Sequence, residues 1–144
     1  MNKQTFEVLP QQGVYWKEKA LKLTFGMSVA EFDDLLPEFC EKSSWQKCQL
    51  RYSSLFHADF DENDALQSIM FIESFPVRVV FDGVDLFTKK NVVKWMISKN
   101  PDVWEENLYP SLEFPDPGIA MSQFHQSDGE HEKTITTTYT TNTH

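Results

Sequence analysis

The distribution of apolar and polar residues is organised around residues 68–87, the most apolar part of the chain. Two apolar runs in this stretch, 69–72 and 77–81, flank a short break that contains a proline. Runs of this length, rich in β-branched and aromatic residues, predict a strand buried on both faces at the centre of a sheet. The Asp82-Gly83 pair predicts a turn after it, because glycine adopts positive φ without steric cost.

Two segments have the spacing of amphipathic helices. In the first, Ser28 and Glu31 form a capping box, in which each side chain satisfies a backbone donor of the other residue. We expect Pro37 to kink or end this helix. Its apolar face would consist of Val29, Phe32, Leu35, Leu36 and Phe39. In the second helix, Thr88 is the predicted cap and Asn100-Pro101 the predicted end. Its buried stripe would consist of Val92, Val93, Met96 and Ile97.

Alternation of apolar and polar residues predicts further strands. These are residues 21–25, 48–56, 66–73, 112–114 and 119–124. The segments 48–56 and 66–73 would form a hairpin whose long acidic tip is 59–64. Residues 102–109 are predicted to be a loop.

Strand, helix and hairpin thus occur twice, with the predicted caps Ser28 and Thr88 about 60 positions apart. This weak repeat indicates two α-β-β units that share one sheet. We therefore expect an α+β fold, mainly antiparallel sheet with two helices on one face. Residues 1–125 would form a single domain. Residues 126–144 would form a polar, threonine-rich tail that is either loose or a marginal edge strand.

Composition narrows the classes of function. Hydrophobic residues make up 40% of the chain, which argues against a disordered protein. The chain has 13 Lys and Arg against 22 Asp and Glu, a formal net charge of −9. This charge repels phosphate backbones, so we expect no direct nucleic-acid binding and favour a basic partner instead.

The N-terminal segment and the cysteines indicate a cellular compartment. The first residues lack a basic segment followed by an apolar core, so we expect no signal peptide. No apolar run approaches the roughly 20 residues of a membrane helix, so we expect no membrane contact. Cys40 and Cys48 do not make a disulfide framework or a CxxC motif. These features favour a cytoplasmic protein with reduced thiols.

The sequence has no recognisable catalytic, cofactor or metal signature. It has only 5 Gly and no glycine-rich phosphate loop, and neither GxSxG nor HExxH occurs. Asp59, Asp61 and Asn63 alternate as in a calcium loop, but Asp64 and Met70 stand where that loop needs glycine and a carboxylate. His57 lies beside these acids without a nucleophile spaced for it. We therefore expect a protein that is not an enzyme and has no cofactor or metal.

Acidic residues near two tryptophans are the candidate binding site. Acids in the first turn of a helix stabilise it through the helix dipole, but this does not explain acids near the other end. The acids are either a solvated face or a docking surface for a basic partner, where aromatic anchors inside an acidic rim suit a protein interface. The candidate contact residues are Asp34, Glu38, Glu41, Trp45, Asp59, Asp61, Glu62, Asp64, Trp104, Glu105 and Glu106.

The segment Leu-Thr-Phe-Gly-Met-Ser-Val-Ala-Glu-Phe (23–32) resembles the opening of many small bacterial α+β domains. Its continuation resembles small acidic immunity proteins that accompany polymorphic and contact-dependent toxins in bacteria. The segments of this continuation are Ile-Met-Phe-Ile-Glu (69–73), Val-Val-Phe-Asp-Gly-Val-Asp-Leu-Phe (79–87) and Phe-Pro-Asp-Pro-Gly-Ile-Ala (114–120). The resemblance is one of pattern over residues 21–124. It implies a non-catalytic protein that binds and blocks a cognate toxin domain, often a nuclease. No contact residue carries over, because such families diverge most at the binding face.

Two other functions remain open from the sequence. One is an acidic adaptor or interaction module that is unrelated to toxins. The other is an enzyme that uses a carboxylate such as Asp61 or Glu73 in a cleft. A deep pocket with convergent ionisable groups would favour the enzyme.

Overall fold

The computed structural model describes residues 2–37, 40–106, 111–124 and 132–139, and their strands lie in two sheets. Strands are numbered β1 to β13 in chain order. The five-stranded sheet has the spatial order β3 (Leu21–Thr24), β2 (Gly13–Trp16), β1 (Gln4–Leu9), β8 (Val77–Phe81) and β9 (Val84–Asp85). The eight-stranded sheet has the order β10 (Trp104–Glu106), β11 (Ser111–Phe114), β12 (Ile119–Ser122), β13 (Thr134–Thr138), β7 (Leu66–Ile72), β6 (His57–Phe60), β5 (Cys48–Tyr52) and β4 (Glu41–Trp45).

The core lies where the two sheets pack face to face. Phe6 of β1 contacts Phe71 of β7, with ring centroids 5.0 Å apart. Trp16 of β2 meets Phe56, which precedes β6, at 6.1 Å. Full burial of one such aromatic side chain contributes about 1.5–3 kcal/mol, so this aromatic layer holds the sheets together.

The first helix, α1 (Val29–Leu35), begins as predicted and ends next to Pro37, which is one of the two predicted effects of this proline. The Ser28 hydroxyl accepts the Glu31 backbone N–H at 3.1 Å, and the Ser28 N–H donates to the Glu31 carboxylate at 3.3 Å. The capping box is therefore confirmed. Leu36 is the C-cap, so the helix stops just before Pro37, and Phe39 lies outside the described residues.

The second helix, α2 (Val92–Lys99), has a different start from the one predicted. Its N-cap is Asn91 in the left-handed conformation, without a side-chain capping bond, so the assignment of Thr88 was wrong. Met96 is fully buried, but Ile97 is 40% exposed and does not belong to the buried stripe. The predicted end at Asn100 is confirmed.

The expected α+β fold, with two helices on one face of a shared sheet, is wrong. The structure is mainly β, and the two apolar runs of 68–87 lie in different sheets, as β7 and β8. Neither run is buried on both faces throughout, since buried residues alternate with more exposed ones along β7. Four segments are strands although they were predicted as a loop, left unassigned or, for Thr134–Thr138, predicted as a tail that is loose or a marginal edge strand. They are Gln4–Leu9, Glu41–Trp45, Trp104–Glu106 and Thr134–Thr138.

The proposed two α-β-β units do not build a shared α+β sheet with both helices on one face. Each helix is followed by a hairpin of the eight-stranded sheet, β4–β5 after α1 and β10–β11 after α2. The strands before the helices, β3 and β8–β9, belong to the five-stranded sheet. The repeat of strand, helix and hairpin is therefore present in the order of elements, but each unit spans both sheets.

The threonine-rich tract contributes an interior strand. β13 pairs with β12 on one side and with β7 on the other, and Ile135 between them is fully buried. Neither a loose tail nor an edge strand describes Thr134–Thr138. The rest of the predicted tail, residues 126–131 and 140–144, lies outside the described residues.

Candidate protein-docking face

The strand register gives the eight-stranded sheet an outer face, defined here as the side turned away from the five-stranded sheet. Residues directly opposite each other in an antiparallel pair point to the same side. Ile69 and Phe71 are buried against the five-stranded sheet, so Met70 between them points outward. Following the pairs from Met70 gives one outward row across all eight strands. The row is Glu41, Tyr52, His57, Met70, Thr136, Ala120, Glu113 and Trp104.

Three rings form the centre of this face on the β4–β7 side. The Tyr52 ring lies 4.7 Å from the His57 ring, edge to face, and His57 lies 5.5 Å from Phe75. We call Tyr52, His57 and Phe75 the ring cluster. All three are partly exposed, as are the outward residues Leu50 and Met70. The outer face therefore presents an apolar centre to solvent.

Acidic residues and one tryptophan surround the ring cluster. Glu41 lies opposite Tyr52, and Asp59 lies opposite Leu50. Both acids are exposed, and the Asp59 carboxylate accepts the Ser68 hydroxyl at 3.3 Å. Trp45, at the end of β4, is 68% exposed. We call the outer surface of β4–β7 the docking face.

The ring cluster adds no positive charge to the docking face near neutral pH. Burial lowers the pKa of His57 below its ordinary value of 6.5, and the Asp59 carboxylate opposes this only in part. The imidazole is therefore neutral at pH 7.

Charge is unevenly distributed along the chain. Residues 31–64, which include most of α1 and all of β4–β6, carry nine acids and three bases, a sum of 3 − 9 = −6. Two of these acids, Glu41 and Asp59, lie on the docking face, three lie on α1, three lie in the turn after β6, and Glu38 lies outside the described residues. Residues 86–101, which include α2, carry four lysines and no acid. Most of the excess negative charge therefore lies on elements that adjoin the docking face, and not on that face itself.

The structure brings together some of the predicted contact residues and separates others. Glu41, Trp45 and Asp59 share the docking face. Asp34 lies on α1, whose Phe32 packs against the inward residue Phe60, so Asp34 belongs to the other side of the sheet.

The second tryptophan cluster is far from the docking face. Trp104 also points outward, but it lies seven strands from Glu41, about 34 Å at about 4.8 Å per strand. Glu105 lies opposite the inward residue Leu112. Glu106 ends β10, and its side chain lies outside what the structure describes, as does Glu38.

The remaining predicted acids build a turn. Asp61, Glu62 and Asp64 connect β6 to β7 at the end of the sheet. One Asp61 carboxylate oxygen accepts the backbone N–H groups of Asn63 and Ala65 at 2.8 and 3.0 Å. The carbonyl of Asp64 accepts the N–H of Val29, which ties the turn to the start of α1. The alternating acids that resemble a calcium loop thus have a local structural role.

The ring cluster itself was not predicted as a site. From the sequence, His57 was considered only as a general base. Tyr52 was predicted to lie in a strand, but the side of the sheet to which it points was not predicted. The usable signal was the alternation in β5 and β6, but the face that a strand presents depends on its register with distant strands.

Among the residues that the structure describes, neither carboxylate of the enzyme hypothesis lies within a group of convergent ionisable side chains. A cleft of about 510 Å³ includes Asp61, which is the single carboxylate among the described residues that line it. Glu73 is exposed and lies 4.0 Å from Lys133. Within the described ranges, no three His, Cys, Asp or Glu side chains are grouped so that they could hold a metal.

Comparisons with protein-family models, curated proteins and solved structures find no match. Neither α1 nor α2, the helices of the described part, is long and apolar enough to span a membrane. The inference of function therefore rests on the docking face.

Proposed function

We propose that this protein is a non-catalytic binding protein whose docking face holds a basic protein partner. The observation that carries the proposal is the strand register, which sets Tyr52 and His57 beside exposed Glu41 and Asp59 on one surface. Protein interfaces combine an aromatic centre, where most of the binding energy lies, with a polar rim that is charged and hydrated. The docking face has an aromatic centre, the ring cluster, and exposed acids beside it that can form a polar rim.

The docking face alone is smaller than a standard interface. Its four strands, at about 4.8 Å spacing and about five residues of 3.4 Å each, cover about 19 Å by 17 Å, a projected area of about 330 Å². Each partner of a standard interface buries about 800 Å², so a protein bound here would also contact the adjoining strands or turns. A partner centred on the ring cluster would therefore reach Trp45 at one edge of the sheet.

The charge of the molecule supports a basic partner. A net charge of −9, with −6 in residues 31–64, favours association with a positively charged protein, and Glu41 and Asp59 are the two of these acids that lie on the docking face. Nuclease toxins are basic because they hold phosphates, and acidic side chains can take the phosphate positions. We propose that the protein acts as a cytoplasmic immunity protein, which blocks such a toxin domain by occlusion.

The test is binding to the protein encoded by the neighbouring gene, measured by calorimetry and by stopped-flow kinetics at low and high salt. We expect Glu41→Lys with Asp59→Lys to lower the association rate at least about tenfold at low salt, and less at high salt. Tyr52→Ala should mainly raise the dissociation rate, because it removes part of the aromatic centre.

A matched control makes the same change of charge at positions that lie away from the docking face. Glu7→Lys with Asp102→Lys adds the same positive charge on β1 and in the loop after α2. Equal slowing by both double variants would show that net charge alone acts, and no binding of the neighbouring protein would remove the toxin assignment. Binding without protection of cells from that protein would favour an adaptor module.

A further inference from the structure

Four lysines line a cleft beside the start of α2. The cleft has a volume of about 680 Å³, within the range of small-molecule sites. Its lysines are Lys89, Lys90, Lys94 and Lys133, and we call it the lysine cleft. It lies outside the docking face and has the opposite charge.

Within the described part of the chain, most of this charge has no carboxylate close enough to neutralise it. Among the described residues, no carboxylate lies within 4.0 Å of the ammonium groups of Lys89, Lys90 or Lys94. Lys133 reaches Glu73 only at the limit of 4.0 Å. In a chain of net charge −9, this group of lysines is a locally positive region.

The lysines also stand at the unfavourable end of a helix. Lys89 and Lys90 precede the N-cap Asn91, Lys94 lies in the first turn, and no acid occupies that turn. The N-terminus of a helix carries partial positive charge and favours anions, so cations there destabilise the helix. Residues that destabilise the local structure are expected at functional sites.

An apolar wall completes the cleft. The rings of Phe87 and Phe124 stack with centroids 6.0 Å apart and planes within 13°. The Lys133 ammonium lies 5.4 Å from the centre of the Phe124 ring, which restrains this lysine at the wall. The cleft therefore combines four lysines with an apolar wall formed by two stacked rings.

We propose that the lysine cleft binds an anion that carries at least two phosphate groups. A phosphate monoester brings between one and two negative charges to one group near pH 7, whereas a carboxylate brings one. Two or three phosphates therefore neutralise four lysines within one cleft, which carboxylates could do only with four separate groups. Lysine binds phosphate as a point charge and does not need the planar geometry of arginine. This proposal does not depend on the partner of the docking face.

The experiment titrates the full chain with pyrophosphate, ATP and a ten-nucleotide thymidine strand, followed by calorimetry and tryptophan fluorescence. The fluorescence should respond because the Lys89 ammonium lies 5.7 Å from the Trp95 ring. At low salt we expect at least one probe to bind with a dissociation constant below about 1 mM. Lys90→Gln with Lys94→Gln should weaken it about tenfold or more. Preference for ATP or for the strand distinguishes a free nucleotide from a nucleic acid.

The control, Lys17→Gln with Lys47→Gln, removes the same charge at exposed positions that do not line the cleft. It should leave binding unchanged, and circular dichroism should show both double variants folded. The proposal is overturned if no probe binds at 1 mM or so, or if the control weakens binding as much as the cleft variant. It is also overturned if a glutamate peptide of equal charge competes as well as pyrophosphate, because the cleft would then select charge and not phosphate.

Discussion

The pair of Arg51 and Asp33 attaches α1 to the sheet behind the docking face. Arg51, on β5, is only 4% exposed. Its Nε and Nη2 atoms donate to the two Asp33 carboxylate oxygens, each at 2.9 Å, while Nη1 donates to the Gln49 side chain at 3.1 Å and to the Leu50 carbonyl at 2.9 Å. These bonds raise the pKa of Arg51 and lower that of Asp33. The pair is therefore charged in the folded protein, and four of the five guanidinium N–H groups have acceptors.

We predict that Asp33→Ala is strongly destabilising, because it leaves a buried guanidinium without its carboxylate. Breaking a buried pair from one side costs about 3–5 kcal/mol. The Asp33 side chain is 26% exposed, so water can partly replace it, and we expect the lower limit of about 3 kcal/mol. At about 2.1 cal/mol/K per residue, 144 residues unfold with about 300 cal/mol/K, so the melting temperature should fall by about 10 °C.

Thermal and urea unfolding followed by circular dichroism would measure this effect. Asp33→Ala with Arg51→Met removes both charges and should recover more than half of the loss. Lys42→Ala is the matched control, because Lys42 lies 3.7 Å from Asp33 but is 66% exposed, and its loss should cost less than about 0.5 kcal/mol. A loss below about 1 kcal/mol in the single variant, or a double variant no more stable than the single one, would refute the reasoning.

Two further predictions test the interior strand and the ring cluster. Truncation after residue 131 removes β13 from between β12 and β7, so cooperative unfolding should disappear, and a fragment with an unchanged near-ultraviolet spectrum would contradict the strand order. Because burial lowers the pKa of His57 in the folded state, the unfolded state binds the proton first, and stability should fall as the pH drops below about 6.5. His57→Gln should lose less stability than the wild type in urea titrations between about pH 7.5 and 5.5, and parallel curves for the two proteins would contradict this.

Features fixed by neighbouring residues could be predicted from the sequence. The capping box of Ser28 and Glu31 needs only a three-residue spacing, and the structure contains both of its bonds. The turn at Asp82-Gly83 has positive φ at both residues and joins β8 to β9, as an Asp-Gly pair predicts. The strands on either side of Asp116-Pro117-Gly118 also pair as expected.

Features that depend on pairing between strands distant in sequence could not be predicted. Every residue of Glu41–Trp45 is exposed, so this edge strand has no apolar alternation to identify it. Thr134–Thr138 is polar, yet its position between β7 and β12 buries Ile135 and Thr137. Threonine suits both a strand and a solvated tail, and only the neighbouring strands decide between them. The fold class was wrong because these strands were not recognised.

The net charge of −9 does not reveal the local charge at either proposed site. The docking face has exposed acids beside rings, and the lysine cleft has cations beside rings, so the molecule has two surfaces of opposite sign. They approach each other along one turn, since Phe75 belongs to the ring cluster and Glu73 lies 4.0 Å from Lys133 of the cleft. A basic partner attracted to β4–β6 would be repelled by the four lysines, which orients it toward Trp45 and leaves the cleft accessible. The segregation of charge therefore allows the two sites to bind different ligands at the same time.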